Sequence, residues 1–299
     1  MVTALNSTPK VSFPLIFAAL FPALFLCVYV YRKDRVEKEP LGLLLKLFLL
    51  GAISCFPAAY VESFFEPVID FLFSGVRVIR DNKIYYSTKT AFYAYHYIYQ
   101  FFGVALVEEG FKFLILLRLT KNNKNFNCLF DGIIYAVFVS LGFAALENVL
   151  YVVQYGWHTA FARAVLSVPG HMFFAVMMGY NYSLWHITER AGRIERRLAD
   201  QGVISVRTPF NANPYKVSSL LIPMLAHATY NFSCSMPSWG GAILLYGFVI
   251  FMYIFCFKKI NKFSRCDSKD TNWANRMVSQ KYPGVFTILT PDNPETVLF

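Results

Sequence analysis

The chain has 299 residues, of which 56% are hydrophobic, 18% aromatic and 15% charged, and its net charge is +10. Soluble domains carry roughly 25% charged residues, so this composition excludes a soluble fold. The 28 Lys and Arg lie in short clusters between apolar runs and not on one basic face, which argues against nucleic acid as the partner. The six Cys show no CxxC pair and mostly fall in apolar segments, so they read as reduced packing residues with no disulfide framework and no zinc finger.

A membrane-crossing helix needs about 20 mostly apolar residues. Seven such runs are bounded by charge, at residues 11–31, 41–61, 91–117, 128–153, 161–187, 217–233 and 240–257. The expected fold is therefore all-α, a polytopic transmembrane bundle of about seven spans. An eighth, re-entrant or interfacial element is expected near 62–90, where "VIDFLFSGVRVI" is apolar but too short to cross. Of the 28 basic residues, 20 fall on one alternating set of loops, which places the N-terminus outside and the C-terminus in the cytoplasm. Residues 1–258 form one transmembrane domain, and 259–299 are expected to be a cytoplasmic, flexible tail.

Ionisable side chains deep in a bilayer cost at least ~2.5 kcal/mol each and are functional candidates by default. In the third span, "LVEEGFKFLILL" places Glu108, Glu109 and Lys112 near mid-depth. Lys112 stands four and three residues after the two carboxylates, so it is expected to neutralise one and leave the other as a proton acceptor. His227 and Asn231 share a face of the sixth span. His171 follows Pro169 and Gly170, a pair expected to loosen the fifth span.

In the fourth span, Asp131 sits at the start, where a carboxylate is favoured as a cap. Glu147 and Asn148 lie near the other end. Glu147 is about 160° round the helix from Asp131, so the two cannot both face one cavity. Gly132 and Gly142 suit close helix contact. Arg163 reads as a snorkelling anchor.

"YRKDRVEKEP", "EEGFK", "FDGIIYAVFVSLGFAALENVLY", His171 and "HATYN" occur in that order over residues 20 to 235. This ordered set resembles the PrsW family of intramembrane proteases, related to the CAAX-prenyl-protease and Abi group. The resemblance implies hydrolysis of a peptide bond in or beside the membrane of a membrane-anchored protein. It implies Glu108 as general base with His171 as its partner, Glu109 and Lys112 orienting that base, and His227 with Asn231 polarising the carbonyl. The relatives' EExxxR appears here as EExxK. Asp131, Glu147 and Asn148 are expected in orienting roles.

A metal-free glutamate mechanism is favoured. The alternative is zinc held by Glu108, His171 and His227. The competing functional class is a non-hydrolytic multi-span protein, a proton-coupled transporter or a receptor, using the same groups for proton relay or ligand binding. Paired repeats with broken helices would mark a transporter and are not found. The expected location is the plasma membrane, with the bilayer and a protein substrate as partners.

Overall fold

The computed structural model describes residues 12–80, 83–236, 238–265, 267 and 269–285. The protein is a helical membrane protein. Its helices are α1 (Phe13–Lys33), α2 (Leu41–Ile53), α3 (Cys55–Leu72), α4 (Lys89–Ile98), a π-helical segment (Tyr99–Ala105), α5 (Leu106–Thr120), α6 (Asp131–Tyr155), α7 (Trp157–Val165), α8 (Ser167–Asp200), α9 (Asn213–Ser235), α10 (Trp239–Arg265) and α11 (Asp270–Lys281). Five stretches are long and apolar enough to cross a membrane: Phe13–Lys33, Leu41–Leu72, Asp131–Tyr155, Trp157–Asp200 and Trp239–Arg265. The other two expected spans are helical as well: the third is divided into α4, the π-helical segment and the 15-residue α5, and the sixth is α9, which carries His227 and Asn231.

Three local expectations change. The second span does not end at residue 61 but continues to Leu72, with a break at Ser54. Pro57 has no amide hydrogen to give the Ile53 carbonyl, and the Ser54 hydroxyl donates to the Gly51 carbonyl at 2.7 Å. The segment 62–90 is not a re-entrant span: it is the end of α3 followed by an antiparallel hairpin, β1 (Arg77–Arg80) and β2 (Lys83–Tyr86). This hairpin adds a small strand ribbon to the expected all-α bundle. The fifth span is divided at Leu166, and Pro169 lies in the first turn of α8, where no helical bond is lost, so it starts the helix and does not loosen it.

At its other end α8 runs on to Asp200, and with 34 residues at about 1.5 Å each it is much longer than a crossing requires. The segment after 258 completes α10 and then forms α11. Ala274 and Val278 of α11 pack on Ile187, Ala191, Ile194 and Leu198 of the α8 extension. Glu195 accepts from Lys281 Nζ at 2.5 Å and from the Tyr282 hydroxyl at 2.7 Å, which fastens the same contact. The N-terminal residues through 11, Cys266 and the residues beyond 285 lie outside the described set.

The bundle is organised around α6, whose side chains are buried on nearly every face. Lipid tails are as apolar as Leu, so helices here associate through close packing and polar contacts. Glycine supplies the closeness. A Cβ at Gly142 would stand 2.0 Å from the Phe48 carbonyl oxygen of α2, and one at Gly51 would stand 2.1 Å from the Val139 carbonyl oxygen of α6. The two backbones therefore touch. At the end of α6, Gly156 takes φ +80°, and this permits the abrupt turn into α7. Gly142→Val should force α2 and α6 apart and cost at least about 1–3 kcal/mol, read as a lower thermal midpoint of the detergent-solubilised protein.

At the α11 end of the bundle, the loop after α1 folds under α6. Glu39 is buried there, and the Tyr135 hydroxyl donates to its carboxylate. Burial pushes the Glu39 carboxyl up from 4.5 to about 7. A raised folded pKa gives stability that is complete below the unfolded value and lost as pH climbs through the folded one. Stability should therefore fall between pH 4.5 and about 7, and Glu39→Gln should flatten that fall in a series of thermal melts.

Candidate active site

The site begins with the spacing on α5. Glu108 and Glu109 stand in its first turn, and Lys112, at i+4 and i+3, reaches back along the helix to both. Lys112 Nζ lies 3.0 Å from Glu108 Oε2, 2.8 Å from Glu109 Oε1 and 3.1 Å from His171 Nδ1 on α8. Lys112 bonds both carboxylates at once, and its single charge still offsets only one of the two. It also lies over the Phe143 ring of α6 at 4.2 Å from the centroid.

An ammonium has three protons and no lone pair. Its three partners here are all acceptors, so His171 Nδ1 accepts and the ring is neutral, with its proton on Nε2. That proton is donated to Glu147 Oε2, 3.0 Å away. Glu147 is in turn paired with Arg163 Nη2 at 2.8 Å. Arg163 Nε donates to Asn148 Oδ1 at 2.9 Å, and Asn148 Nδ2 donates to the Ala19 carbonyl of α1 at 2.7 Å. Asn148 and Glu147 thus hold Arg163 toward the bundle interior. The reading of Arg163 as a snorkelling anchor is corrected, because the half-buried Glu147 and the buried Asn148 on α6 hold its guanidinium.

His227 of α9 is held differently. Its Nδ1 lies 3.0 Å from Glu109 Oε1, and its ring stacks on Phe174 with centroids 4.8 Å apart. A carboxylate only accepts, so Nδ1 carries the proton and Nε2 is the nitrogen left for other partners. The His171 and His227 rings meet edge to face, with centroids 5.4 Å apart.

A cavity of about 600 Å³ adjoins this cluster, with Glu108, Glu147, Arg163, His171, His227 and Asn231 on its wall. Glu109 is fully buried behind that wall. Tyr99 and Gln100 from the π-helical segment line the cavity further out, together with Glu62 of α3 and Tyr230 and Cys234 of α9. The wide turns of a π-helix often mark functional sites, and this one leads directly into the helix of Glu108 and Glu109.

The structure brings together Glu108, Glu109, Lys112, Glu147, Asn148, His171, His227 and Asn231 as the sequence suggested. Asp131 is not among them. It is at the opposite end of α6, where its Oδ2 accepts from the Asn127 and Cys128 amides at 2.8 and 2.6 Å, so its role is to fix the turn before the helix. His171 also does not touch Glu108 as expected, since the Lys112 ammonium mediates between them. Sequence reasoning missed Arg163 and Glu62 as wall residues. A signal for Glu62 existed in "YVESFFEP", where two acids sit four apart on an otherwise apolar helix. Among the described cysteines all are free, and Cys55 and Cys234 line the cavity.

A buried cluster of acids and imidazoles beside a cavity inside a helical membrane protein marks a functional site. The profile described as "PrsW family intramembrane metalloprotease" matches residues 39–257, and the chain belongs to that family. It is similar to the "Protease PrsW" of Geobacillus kaustophilus, 34% identical over 76% of this chain and 83% of that protein. It is likewise similar to those of Clostridioides difficile, 30% identical over 85% and 93%, and Oceanobacillus iheyensis, 28% identical over 82% and 94%. No solved structure matches. These relationships make it a membrane protease.

The family description includes a metal, and among the described residues Glu108, Glu109 and His171 bring donor atoms within 4.8 Å of one another. Their residue types suit zinc. The same three side chains close on Lys112 Nζ, however, and zinc held at about 2.0–2.2 Å from them would press against that ammonium, cation against cation. In this arrangement the donors do not fit a divalent ion. His227, the other expected ligand, is outside the group and is held through Nδ1 by Glu109. Lys112→Met removes the one cation from two buried carboxylates and should cost about 3–5 kcal/mol, seen as a large drop in thermal midpoint in detergent.

Proposed function

We propose that the protein is a metal-free intramembrane endopeptidase that cuts a membrane-anchored protein in or beside the bilayer. The observation that carries this reading is the unequal setting of the two carboxylates. Glu108 is on the cavity wall with one oxygen held by Lys112, whereas Glu109 is behind it, engaged with Lys112 and His227. Glu108 is then the general base. It takes a proton from a cavity water as the water oxygen attacks the scissile carbonyl carbon. Asn231 and an imidazolium at His227, which donates through Nδ1 to Glu109 and through Nε2 to the substrate, polarise the carbonyl oxygen from one face of α9 as it gains charge.

Glu108 next returns the proton to the departing amine as the C–N bond breaks. Glu109 accepts from His227 Nδ1, which orients the ring and gives its imidazolium form a counter-charge, and the chain from Arg163 through Glu147 and His171 holds Lys112. His171 is in this reading a positioning residue and not a second base, because both of its ring nitrogens are engaged.

The family relationship supports a protein substrate in or near the membrane. The alternation of basic loops supports seven crossings, with α4 to α5 and α9 as the two less apolar ones. It also supports an outside N-terminus and a cytoplasmic C-terminus with α11.

Glu108→Gln should abolish cleavage while leaving the protein folded, and comparative membrane proteomics of cells carrying each form should show a single-span protein that is cut only by the unaltered enzyme. Full activity of Glu108→Gln would sink the assignment. Alanine at His227 or Asn231 should lower kcat by about 10²–10³-fold. Purified enzyme should keep its activity in strong chelators, and loss of activity that zinc restores would overturn the metal-free reading.

A further inference from the structure

Counted with every acid ionised, the charges of the described residues around the cavity do not balance. Four carboxylates gather there: Glu108, Glu109 and Glu147 in the cluster and Glu62 on the facing wall. Among the described residues the permanent cations there are two, Lys112 and Arg163. Lys112 is held by Glu108 and Glu109, and Arg163 is held by Glu147. His171 is neutral, since it accepts from an ammonium. Even with an imidazolium at His227, one of the four acids has no cationic partner among the described residues.

Glu62 is the carboxylate without a counter-charge. It lines the cavity from α3 and has no hydrogen bond or ion pair among the described residues, unlike Glu108, Glu109 and Glu147. A carboxylate on a partly desolvated wall attracts a cation strongly, because little water competes for it. Glu66 follows at i+4 on the same face and is exposed, so acidic side chains continue from the cavity along α3. Tyr99 and Tyr230 add aromatic surface to the wall, which suits the stem and head of a long basic side chain.

We propose that Glu62 forms a specificity subsite for a Lys or Arg side chain of the substrate, close in sequence to the scissile bond. The inference rests on the protease reading above and names the class of segment the enzyme accepts. A basic side chain entering with the substrate would supply the missing counter-charge beside Glu108. Neutral or acidic segments would leave Glu62 unpaired and bind less well.

The test is N-terminal proteomics of membranes from cells producing the full-length protein, with Glu108→Gln as the uncut reference, and with Glu62→Gln, Glu62→Asp and Glu62→Arg compared at matched folded amounts. Sites that depend on Glu108 should carry Lys or Arg within a few residues of the cut more often than neighbouring membrane sequence does. Cleavage at basic sites relative to neutral ones should fall about tenfold in Glu62→Gln, recover in Glu62→Asp and reverse toward acidic sites in Glu62→Arg. Glu108-dependent sites without basic enrichment, or an unchanged site preference in Glu62→Gln, would overturn the subsite and leave the protease reading standing. Absence of any Glu108-dependent cleavage would overturn both.

Discussion

The structure of the site depends on one buried ammonium with three protons and three acceptors. Lys112 is 1% exposed and has no water to fall back on, so each of its hydrogens must be directed at a protein atom. That requirement draws Glu108 and Glu109 onto one side of α5 and brings α8 close enough for His171 to complete the set. It also fixes the tautomer of His171, and through it the contact with Glu147. A buried charge of this kind is poor evidence for net stability. Its effect is to specify: few other arrangements of α5, α6 and α8 would satisfy it.

The fold supplies the rigidity that this cluster needs. α6 is fixed against α2 by backbone contact at Gly51 and Gly142, and against α1 by the bond from Asn148 to the Ala19 carbonyl. The same helix presents Glu147 to His171 and Phe143 to Lys112. The most tightly packed helix thus carries the supporting residues, while α5 and α9, whose polar groups reduce their apolarity, carry those proposed to act on substrate. That division has a physical reason. Helices able to stand alone in lipid can form the frame, and polar ones are tolerated only where the frame and a wet cavity shelter them.

Much of this arrangement was legible in the sequence. "EEGFK" fixed which helix face would be charged and "HATYN" placed His227 and Asn231 together, whereas Asp131, expected in an orienting role, is kept from the site by its place at the opposite end of α6 from Glu147. What was not legible depends on tertiary geometry. Whether a Lys at i+3 and i+4 bonds one acid or both depends on its rotamer and on the third acceptor, which comes from a helix 59 residues away in the chain. Arg163 could as well have turned to the interface; Glu147 and Asn148 decide otherwise. Glu62 was hidden because its segment read as interfacial, and the continuation of α3 to Leu72 depends on where the hairpin takes the chain. The hairpin itself, a few β-branched and aromatic residues alternating with charge, lay within a run whose apolar content pointed to the membrane.

A fixed ammonium in place of a metal would change what the remaining residues must do. A metal ion can polarise the carbonyl and activate the water at once. Lys112 can do neither while its three protons are held by Glu108, Glu109 and His171, so the two tasks must fall to separate groups. Water activation then falls to the carboxylate that faces the cavity, and stabilisation of the oxyanion falls to donors on α9, the Asn231 amide and a His227 protonated on both ring nitrogens. Glu109 links the two halves. Its Oε1 is shared between Lys112 and His227, so the group that steadies the base also sets which nitrogen of His227 is presented to the substrate. This explains why two adjacent acids are present where a single base would serve for water activation. The buried one has no contact with the cavity, and its work in the proposed mechanism is to hold the base side and the oxyanion side in register.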